Sequence, residues 1–267
     1  GEAWEVYTGS QWEVAYSMPE YMSNVVIRDG SKYYIDDMFL AYVNNITIDG
    51  ELCFSSYINF GSLTVYGNLI VNGIFASVVD GYYSAYNIIC VYGDIIVNGV
   101  FDMYDHYSFY DPYYEYQFTY ENYSEIYLYG EENSNISFNA GSYTDLEYLM
   151  VNKMSSTDTC RFLFNGGEFT VHDGTTQGFL FTYQSGEAIG TVVIGGNDTV
   201  VSELFTPFYM CYAIDENFVL VIDNPNFTIQ TAQLREPTES FKNYGKVYVN
   251  NVKEWNIGSF LDNNDVV

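Results

Sequence analysis

Basic residues are the scarcest feature of this 267-residue chain. Lysine and arginine together number 8, against 35 aspartate and glutamate residues, and the formal net charge is −27. The acidic share is close to that of an ordinary globular protein, so the charge reflects missing cations. Such a surface repels nucleic-acid phosphates and anionic lipid headgroups, which excludes nucleic acid as a partner and favours metal cations, glycans or other copies of the chain.

Other absences narrow the chemistry. The chain has only 2 histidines, and it contains no Cys-x-x-Cys, P-loop, Gly-x-Ser-x-Gly or His-Glu-x-x-His motif. The longest apolar runs, such as 218–222, are too short to span a membrane, so we expect no membrane insertion. The sequence therefore offers no catalytic and no metal-ligating residue, and we expect a protein that is not an enzyme.

Two oxygen-rich turns, at 223–226 and 262–265, have the ligand types that calcium takes. Neither turn has the spacing of an EF-hand, and Asn and Asp are also the residues that bond locally to a turn backbone. We therefore expect no cofactor, and at most weakly bound divalent cations such as calcium, held by the overall negative field.

Several features together indicate secretion. The chain begins without methionine, as a mature product would after removal of a signal peptide. Its four cysteines form an even set of disulfide candidates: Cys53, Cys90, Cys160 and Cys211. Five Asn-x-Ser/Thr sequons are glycosylation candidates: Asn45, Asn122, Asn135, Asn197 and Asn226. We expect an extracellular, cell-surface glycoprotein, although chance sequons and ordinary buried thiols are an open alternative.

An internal repeat is the most informative pattern. Residues 65–75 (VYGNLIVNGIF) return as residues 91–101 (VYGDIIVNGVF), with eight of eleven positions identical. A shorter copy begins at Ile48 and aligns Gly50 with Gly67. Period-two alternation puts Val65 and Phe75 on one apolar face, so each copy is predicted to be a strand. A strand of this kind buries its apolar face only when copies stack, which predicts a β-solenoid.

The Val-x-Gly-x-Leu-x-Val-x-Gly-x-Phe pattern resembles the irregular parallel β-helix repeats of secreted adhesins and microbial surface proteins. We therefore expect an all-β fold, an irregular β-solenoid, with a β-sandwich as the alternative. The chain is expected to form a single domain, 1–267, with core repeats at about 46–101 and less regular ends at 1–40 and 231–267. Further strands are expected at 126–129, 161–164, 168–172, 179–183, 190–194, 218–222, 227–230 and 246–249.

Tyrosine is concentrated in residues 104–129. The self-association candidates in this segment are Tyr104, Tyr107, Tyr110, Tyr113, Tyr114, Tyr116 and Tyr120. Tyrosine combines a large rigid ring with a polar tip and is common at recognition surfaces. It also has a high β propensity, so these residues could instead be the outward members of half-buried strands.

The parity of the repeat also bears on the cysteines. Cys90 precedes Val91, so it is predicted to face outward, and Cys53 is predicted to do so through alignment with Ile70. Outward thiols can join neighbouring subunits; if a second layer covers that face, they pair within the chain or stay buried. Four cysteines allow three complete intrachain pairings, and the sequence does not choose among them.

The scarcity of Lys and Arg, the abundance of Tyr and Asn, the sequons and the few cysteines resemble archaeal surface-layer and methanogen sheath proteins. That resemblance implies stacked β-rich subunits in an extracellular tube. The predicted function is a structural protein that assembles with other copies of itself into a surface layer, sheath or filament through β-edge, tyrosine and disulfide contacts. The alternative is a β-helix module that binds or cleaves polysaccharide, as in an adhesin or tailspike.

Overall fold

The chain is all-β in this computed structural model. The first two strands, β1 (Glu5–Tyr7) and β2 (Trp12–Val14), form an antiparallel pair. The residues that the structure describes are 5–7, 11–14, 19, 23–35, 40–55, 60–78, 85–113, 116–146, 148–151, 153, 155, 157–171, 190–197, 200–202, 213–214, 218–229, 241–243, 245–252 and 261–263. No helix occurs within these ranges.

Three sheets of stacked parallel strands form the body of the protein. Sheet I contains β3 (Asn24–Ile27), β6 (Asn45–Ile48), β9 (Leu69–Val71), β12 (Ile95–Val97), β16 (Ser134–Asn139), β19 (Thr159–Asn165), β21 (Gly190–Gly196), β24 (Phe218–Asp223) and β27 (Lys246–Asn250). Sheet II contains β4 (Lys32–Ile35), β7 (Glu51–Ser55), β10 (Ile74–Val78), β13 (Val100–Asp102), β17 (Tyr143–Leu146) and β20 (Glu168–Val171). Sheet III contains β5 (Leu40–Val43), β8 (Phe60–Val65), β11 (Ala85–Val91), β14 (Asp105–Asp111), β15 (Tyr116–Leu128) and β18 (Tyr148–Val151).

The chain visits the sheets in the order I, II, III and then begins again. One such circuit is a coil; β6, β7 and β8 form one, and each pairs in parallel with its equivalent in the next coil. This confirms the predicted all-β solenoid. The sandwich alternative does not describe the molecule, because a sandwich is built from antiparallel strands.

Regular stacking extends beyond the predicted repeat region. Sheet I runs from Asn24, inside the segment expected to be less regular, to Asn250. Two smaller parallel groups lie in the later part of the sequence: β22 (Val200–Ser202) with β25 (Phe227–Ile229), and β23 (Ala213–Ile214) with β26 (Phe241–Asn243) and β28 (Leu261–Asn263). Of the strands expected after the repeats, 179–183 lies outside the described residues, and 126–129 falls at the end of a much longer strand, β15. The others coincide with strands within two residues at each end.

The 11-residue repeat is not one strand, as predicted, but passes around two corners. Val65 ends β8, Leu69 and Val71 bound β9, and Phe75 lies in β10. All four side chains are nevertheless buried in one core. The alternation of inward and outward residues therefore continues through the corners. For this reason the repeat pattern predicted the correct inward face and the wrong number of strands.

Glycine permits the corners because coils approach closely there. A Cβ on Gly73 would lie 2.1 Å from the carbonyl oxygen of Gly50, and one on Gly99 would lie 2.1 Å from that of Gly73. Gly50 therefore stacks beneath Gly73, and not beneath Gly67 as predicted. The strand register agrees, because Leu52 pairs with Phe75. The short copy therefore lies one corner further along the coil than the sequence alignment predicted.

Phenylalanine fills the interior in columns. Phe54 and Phe101 flank Phe75, with ring centroids 5.7 and 5.5 Å from it. All three side chains are fully buried. Each contributes about 2 to 3 kcal/mol through burial of apolar surface, so the stability of the coil comes from its inside and leaves the outer faces available for other contacts.

Candidate functional site

The most organised exposed aromatic feature lies at the corner between sheets III and I. Tyr66, Tyr92 and Tyr129 follow β8, β11 and β15 directly and stand one above another. The ring centroids of Tyr66 and Tyr92 are 5.4 Å apart, and those of Tyr92 and Tyr129 are 5.8 Å apart. Tyr127 adds a fourth ring, 5.6 Å from Tyr129. We call these four residues the tyrosine ladder.

Main-chain bonds fix the spacing of the ladder. The amides of Tyr66, Tyr92 and Tyr129 donate to the carbonyls of Val43, Val65 and Val91, at 3.0, 2.9 and 2.9 Å. Each ring therefore rises by one strand spacing per coil, about 4.8 Å, which is close to the separation at which aromatic rings attract.

A carboxylate closes one end of the ladder. Glu125 accepts a hydrogen bond from the Tyr127 hydroxyl and another, at 2.6 Å, from the Tyr86 hydroxyl. Tyr86 in turn packs on Phe60, with ring centroids 5.8 Å apart. Two phenol donors on one carboxylate hold that side chain against the outer face of sheet III and provide a base beside an oxidisable ring.

The other groups near the ladder are held in their neutral forms. Burial raises the pKa of Tyr92 and of Tyr129, so both remain phenols at neutral pH. Burial also raises the pKa of the Cys90 thiol, the cross-strand neighbour of Tyr127. Cys90 is therefore a thiol and not a reactive thiolate at neutral pH.

A buried lysine supports the corner from inside. The Nζ atom of Lys153 donates to the carbonyl oxygen of Tyr129 at 2.8 Å, and the side chain is 1% exposed. Burial lowers the pKa of Lys153, and the nearby carboxylates of Asp158 and Asp94 act against that shift. The Nζ atom of Lys153 thus satisfies a corner carbonyl at one end of the ladder.

A ladder of amide side chains lines the corner beside the tyrosines. Asn45 Nδ2 donates to Asn24 Oδ1 at 2.7 Å, and Asn45 Oδ1 accepts from the amide of Asn68, also at 2.7 Å. Asn68 Oδ1 accepts from the amide of Asp94 at 2.9 Å, and Asp94 Oδ1 from that of Asn135 at 2.7 Å. One side chain from each coil therefore caps the next coil.

A second ladder follows the opposite corner, between sheets I and II. Asn72 donates to Asp49, Asn98 to Asn72 and Asn139 to Asn98, each at 2.7 Å, and Asn165 donates to Asn139 at 3.5 Å. Between the two amide ladders, the outer face of sheet I carries a central column that includes Ile70 and Ile96, which are cross-strand neighbours.

This outer face consists mainly of amide and aliphatic side chains and has a small net charge. From β6 to β19 its residues are Asn45, Thr47, Asp49, Asn68, Ile70, Asn72, Asp94, Ile96, Asn98, Asn135, Ser137, Asn139, Arg161, Leu163 and Asn165. The charged members are two carboxylates, Asp49 and Asp94, and one guanidinium, Arg161. Their charges nearly cancel, and we call this surface the neutral face.

The structure separates the predicted cysteines. Cys53, Cys90 and Cys160 are free thiols, so no disulfide joins any two of them, and Cys211 lies outside the described residues. Cys90 faces outward and is half-buried, in agreement with the parity argument. The alignment of Cys53 with Ile70 was wrong, because its cross-strand partner is Ala76, and Cys53 is buried. Cys160 lies in the core, where it cannot reach a neighbouring subunit.

The sequons have different surroundings. The Asn45 side chain is fully used in its ladder, and the Asn226 Nδ2 donates to the carbonyl of Asn197 at 2.6 Å. Asn135 and Asn197 are exposed. Asn122 lies in β15, in the part paired with β14. Glycan occupancy at the five sites stays a prediction.

The tyrosine-rich segment forms an antiparallel hairpin, β14 with β15. The register pairs Tyr107 with Tyr120, Tyr110 with Gln117, and Tyr116 with Asp111. Tyr104 precedes the hairpin and is partly buried, Tyr113 lies in its turn and is 84% exposed, and Tyr114 is outside the described residues. The strand expected from the alternation of Tyr116 to Tyr120 is confirmed; its role in self-association stays a prediction.

The turn at 223–226 has the local bonding expected of its residue types. The amide of Asn226 donates to Asn224 Oδ1 at 2.8 Å, and Asn224 Nδ2 contacts the carbonyl of Gly195 at 3.4 Å. In the second turn, 262 and 263 belong to β28, and 264–265 lie outside the described residues. Within the described ranges, no group of three or more His, Cys, Asp or Glu side chains is placed to hold a metal ion.

Sequence reasoning missed the tyrosine ladder. The signal was a Tyr-Gly dipeptide after an apolar residue, which occurs at residues 65–67, 91–93 and 128–130. The first two copies lie inside the recognised repeat, and the third lies beyond it. The hairpin β14–β15 is inserted before the third copy and lengthens that coil, so equal spacing no longer marks the equivalent position.

Comparisons of the chain with family models, with curated proteins and with solved structures found no match. Over the described part of the chain, no helix is long and apolar enough to cross a membrane. The chemistry of the surface therefore has to be interpreted from the fold itself.

Proposed function

We propose that this protein is an extracellular structural subunit that assembles with copies of itself into a surface layer, sheath or filament. The observation that carries the proposal is the neutral outer face of sheet I, bounded by two amide ladders. Copies of a chain with net charge −27 repel one another, and they approach more easily where opposite charges nearly cancel and most side chains are amide or aliphatic.

The periodicity of this face favours a second copy as its partner. Its columns repeat at the strand spacing, about 4.8 Å, over many coils. A partner matches such a surface at many points only if its own surface repeats at the same spacing. Another copy of the chain has the same surface and therefore the same spacing. Repeated weak contacts then add along the face, as they do for linked binding sites.

Edge pairing is a second route to assembly. Among the described strands, β3, β4 and β5 each have a hydrogen-bonded neighbour on one side only. All three belong to the same coil, and an edge of this kind is a template for further strands. Such head-to-tail addition would extend the solenoid into a filament.

A matched pair of substitutions tests the role of the neutral face. Ile70 lies at its centre, and Ile74, only four residues later, is an exposed residue of β10 in sheet II. Ile70→Glu should abolish assembly by placing a carboxylate in the contact, whereas Ile74→Glu should leave assembly intact. Electron microscopy and sedimentation report assembly, and circular dichroism reports the fold. Equal assembly by two folded variants would refute the proposal.

The polysaccharide-binding alternative has less support. Sugar rings bind proteins by stacking on aromatic faces, and in the tyrosine ladder the ring faces are occupied by one another. Between the ladder rings, contact of one ring with the next therefore competes with stacking of a sugar.

A further inference from the structure

The tyrosine ladder combines three features that no single tyrosine in it would have. Four rings are in contact along one line, from Tyr127 through Tyr129 and Tyr92 to Tyr66. A carboxylate, Glu125, accepts the hydrogen bond of the Tyr127 hydroxyl at one end. At the other end Tyr66 is 44% exposed, which makes it the most exposed of the four tyrosines.

These features suit one-electron oxidation. A phenol loses an electron easily only if its proton leaves at the same time, so a carboxylate already bonded to the hydroxyl lowers the barrier. Oxidation leaves one ring short of an electron, and we call this missing electron the vacancy. Stacked neighbours at contact distance exchange the vacancy rapidly. The vacancy then persists until it reaches a ring that can react, and an exposed ring is the one that another molecule can meet.

We propose that the tyrosine ladder is an oxidation site that joins two copies of the chain through a dityrosine bond at Tyr66. An oxidant of the hydrogen peroxide class removes one electron from Tyr127 while the phenol proton moves to Glu125. The vacancy passes along the stack to Tyr66. Tyr66 gives an electron to the stack and its phenol proton to water, and Tyr127 regains an electron from the stack and its proton from Glu125.

The bond forms between two such Tyr66 radicals from two chains. Their ortho carbons join, and the two ring hydrogens move to the oxygens, which restores both phenols. Each tyrosine has lost one hydrogen atom, and one hydrogen peroxide takes up both and becomes two waters. The bond itself uses no metal or cofactor of this chain.

The position of Tyr66 connects this chemistry to assembly. Tyr66 is two residues before Asn68, a member of the amide ladder that borders the neutral face. Copies packed on that face therefore bring their tyrosine ladders to the edge of the contact. The dityrosine proposal rests on the proposed function in this respect, because the coupling step needs a neighbouring copy.

The test oxidises the intact protein with ruthenium tris(bipyridine), light and persulfate, and maps dityrosine by peptide mass spectrometry. Tyr34 and Tyr113 are the matched controls, because they are 50% and 84% exposed and lie outside the ladder. Dityrosine should concentrate at Tyr66 although both controls are more exposed. If the dityrosine yield instead increases with side-chain exposure, with as much product at Tyr34 or Tyr113 as at Tyr66, the proposal is overturned.

Two conservative variants test the mechanism. Glu125→Gln keeps the shape of the side chain but removes the proton acceptor, and should lower the yield at Tyr66 about a hundredfold, at the low end of what a positioned base contributes. Tyr92→Phe keeps the stack but interrupts the exchange of the vacancy, and should lower the yield severalfold. Tyr34→Phe should leave it unchanged. An undiminished yield in either ladder variant would contradict the proposal.

The Ile70→Glu variant separates this proposal from the assembly proposal. If it stays monomeric, electron paramagnetic resonance should still detect tyrosyl radicals that depend on Glu125, while interchain dityrosine disappears. Radicals that do not depend on Glu125 would exclude the oxidation site even if assembly occurs. Persistent assembly of this variant, with Glu125-dependent radicals, would exclude the neutral face as the contact and leave the oxidation site in place.

Discussion

The outer faces of sheets I and III show how one coil can carry two kinds of surface. The two sheets share the same register between coils and the same buried core. Sheet I presents bonded amides and a nearly neutral face, whereas sheet III presents stacked rings that end on Glu125. The difference shows that the inward residues define the fold, and the outward residues are free to define separate contacts.

The largest effect is expected at the corner between sheets I and II, where successive coils approach closely. Gly99→Ala places a Cβ 2.1 Å from the carbonyl oxygen of Gly73, and neither backbone can move away without disrupting sheet pairing. We expect a loss of about 3 kcal/mol in the free energy of unfolding, measured by urea denaturation. Gly195→Ala is the control, because its nearest neighbour lies at 3.3 Å. Equal losses in the two variants would contradict this account of the corners.

The next effect should be specific to sheet I. Asn98 donates to Asn72 and accepts from Asn139, so Asn98→Ala removes two hydrogen bonds and should cost about 2 kcal/mol. Asn165→Ala, at the end of the same ladder where the contact is 3.5 Å, should cost less than half as much. Denaturant midpoints measure both, and similar losses would show that the ladder does not act through its bonds.

The shared interior should make the protein sensitive to alkali. Burial raises the pKa of Cys160 from 9.0 to about 12. The folded state therefore keeps the thiol protonated, so its contribution to stability is complete below about pH 9 and is lost as the pH rises toward 12. The slope should reach about 1.4 kcal/mol per pH unit for this group. In Cys160→Ala the decline above pH 9 should be shallower by that amount, whatever the variant's stability at pH 7.

Much of this interior was accessible from the sequence. The parity of Val65 to Phe75 predicted the inward residues because alternation persists through glycine corners. The number of strands was not accessible, since the same pattern describes one straight strand or three short ones. The alignment of Gly50 with Gly67 was wrong because the short copy, residues 48–54, matches the 11-residue repeat in two ways. The strand register decides between them, since Leu52 pairs with Phe75.

The site was less accessible than the fold. The hairpin was predicted as strand from its alternating tyrosines, but the ladder joins residues 66, 92 and 129, which are unequally spaced in the sequence. The free thiols could not be predicted either, because pairing depends on distances between coils. The sequence patterns therefore predicted local structure. The ladders could not be predicted from them, because they form only when residues of different coils stack.

The smallest effect is expected on sheet III. Tyr92→Leu keeps apolar bulk but loses the ring contacts with Tyr66 and Tyr129, and should cost about 1 kcal/mol. Tyr92→Phe keeps both contacts and should leave the free energy of unfolding unchanged within about 0.5 kcal/mol. Thermal or urea unfolding distinguishes the two. An equal loss in both would mean that the hydroxyl, and not the ring, stabilises the corner.

Electron cryomicroscopy of the assembled protein is the most direct test of the central claim that the neutral face of sheet I joins the copies. The account predicts that Ile70 and Ile96 are buried against the equivalent face of a neighbouring copy, with the amide ladders at the margins of the contact. An assembly in which this face stays in solvent while other surfaces make the contacts would contradict it.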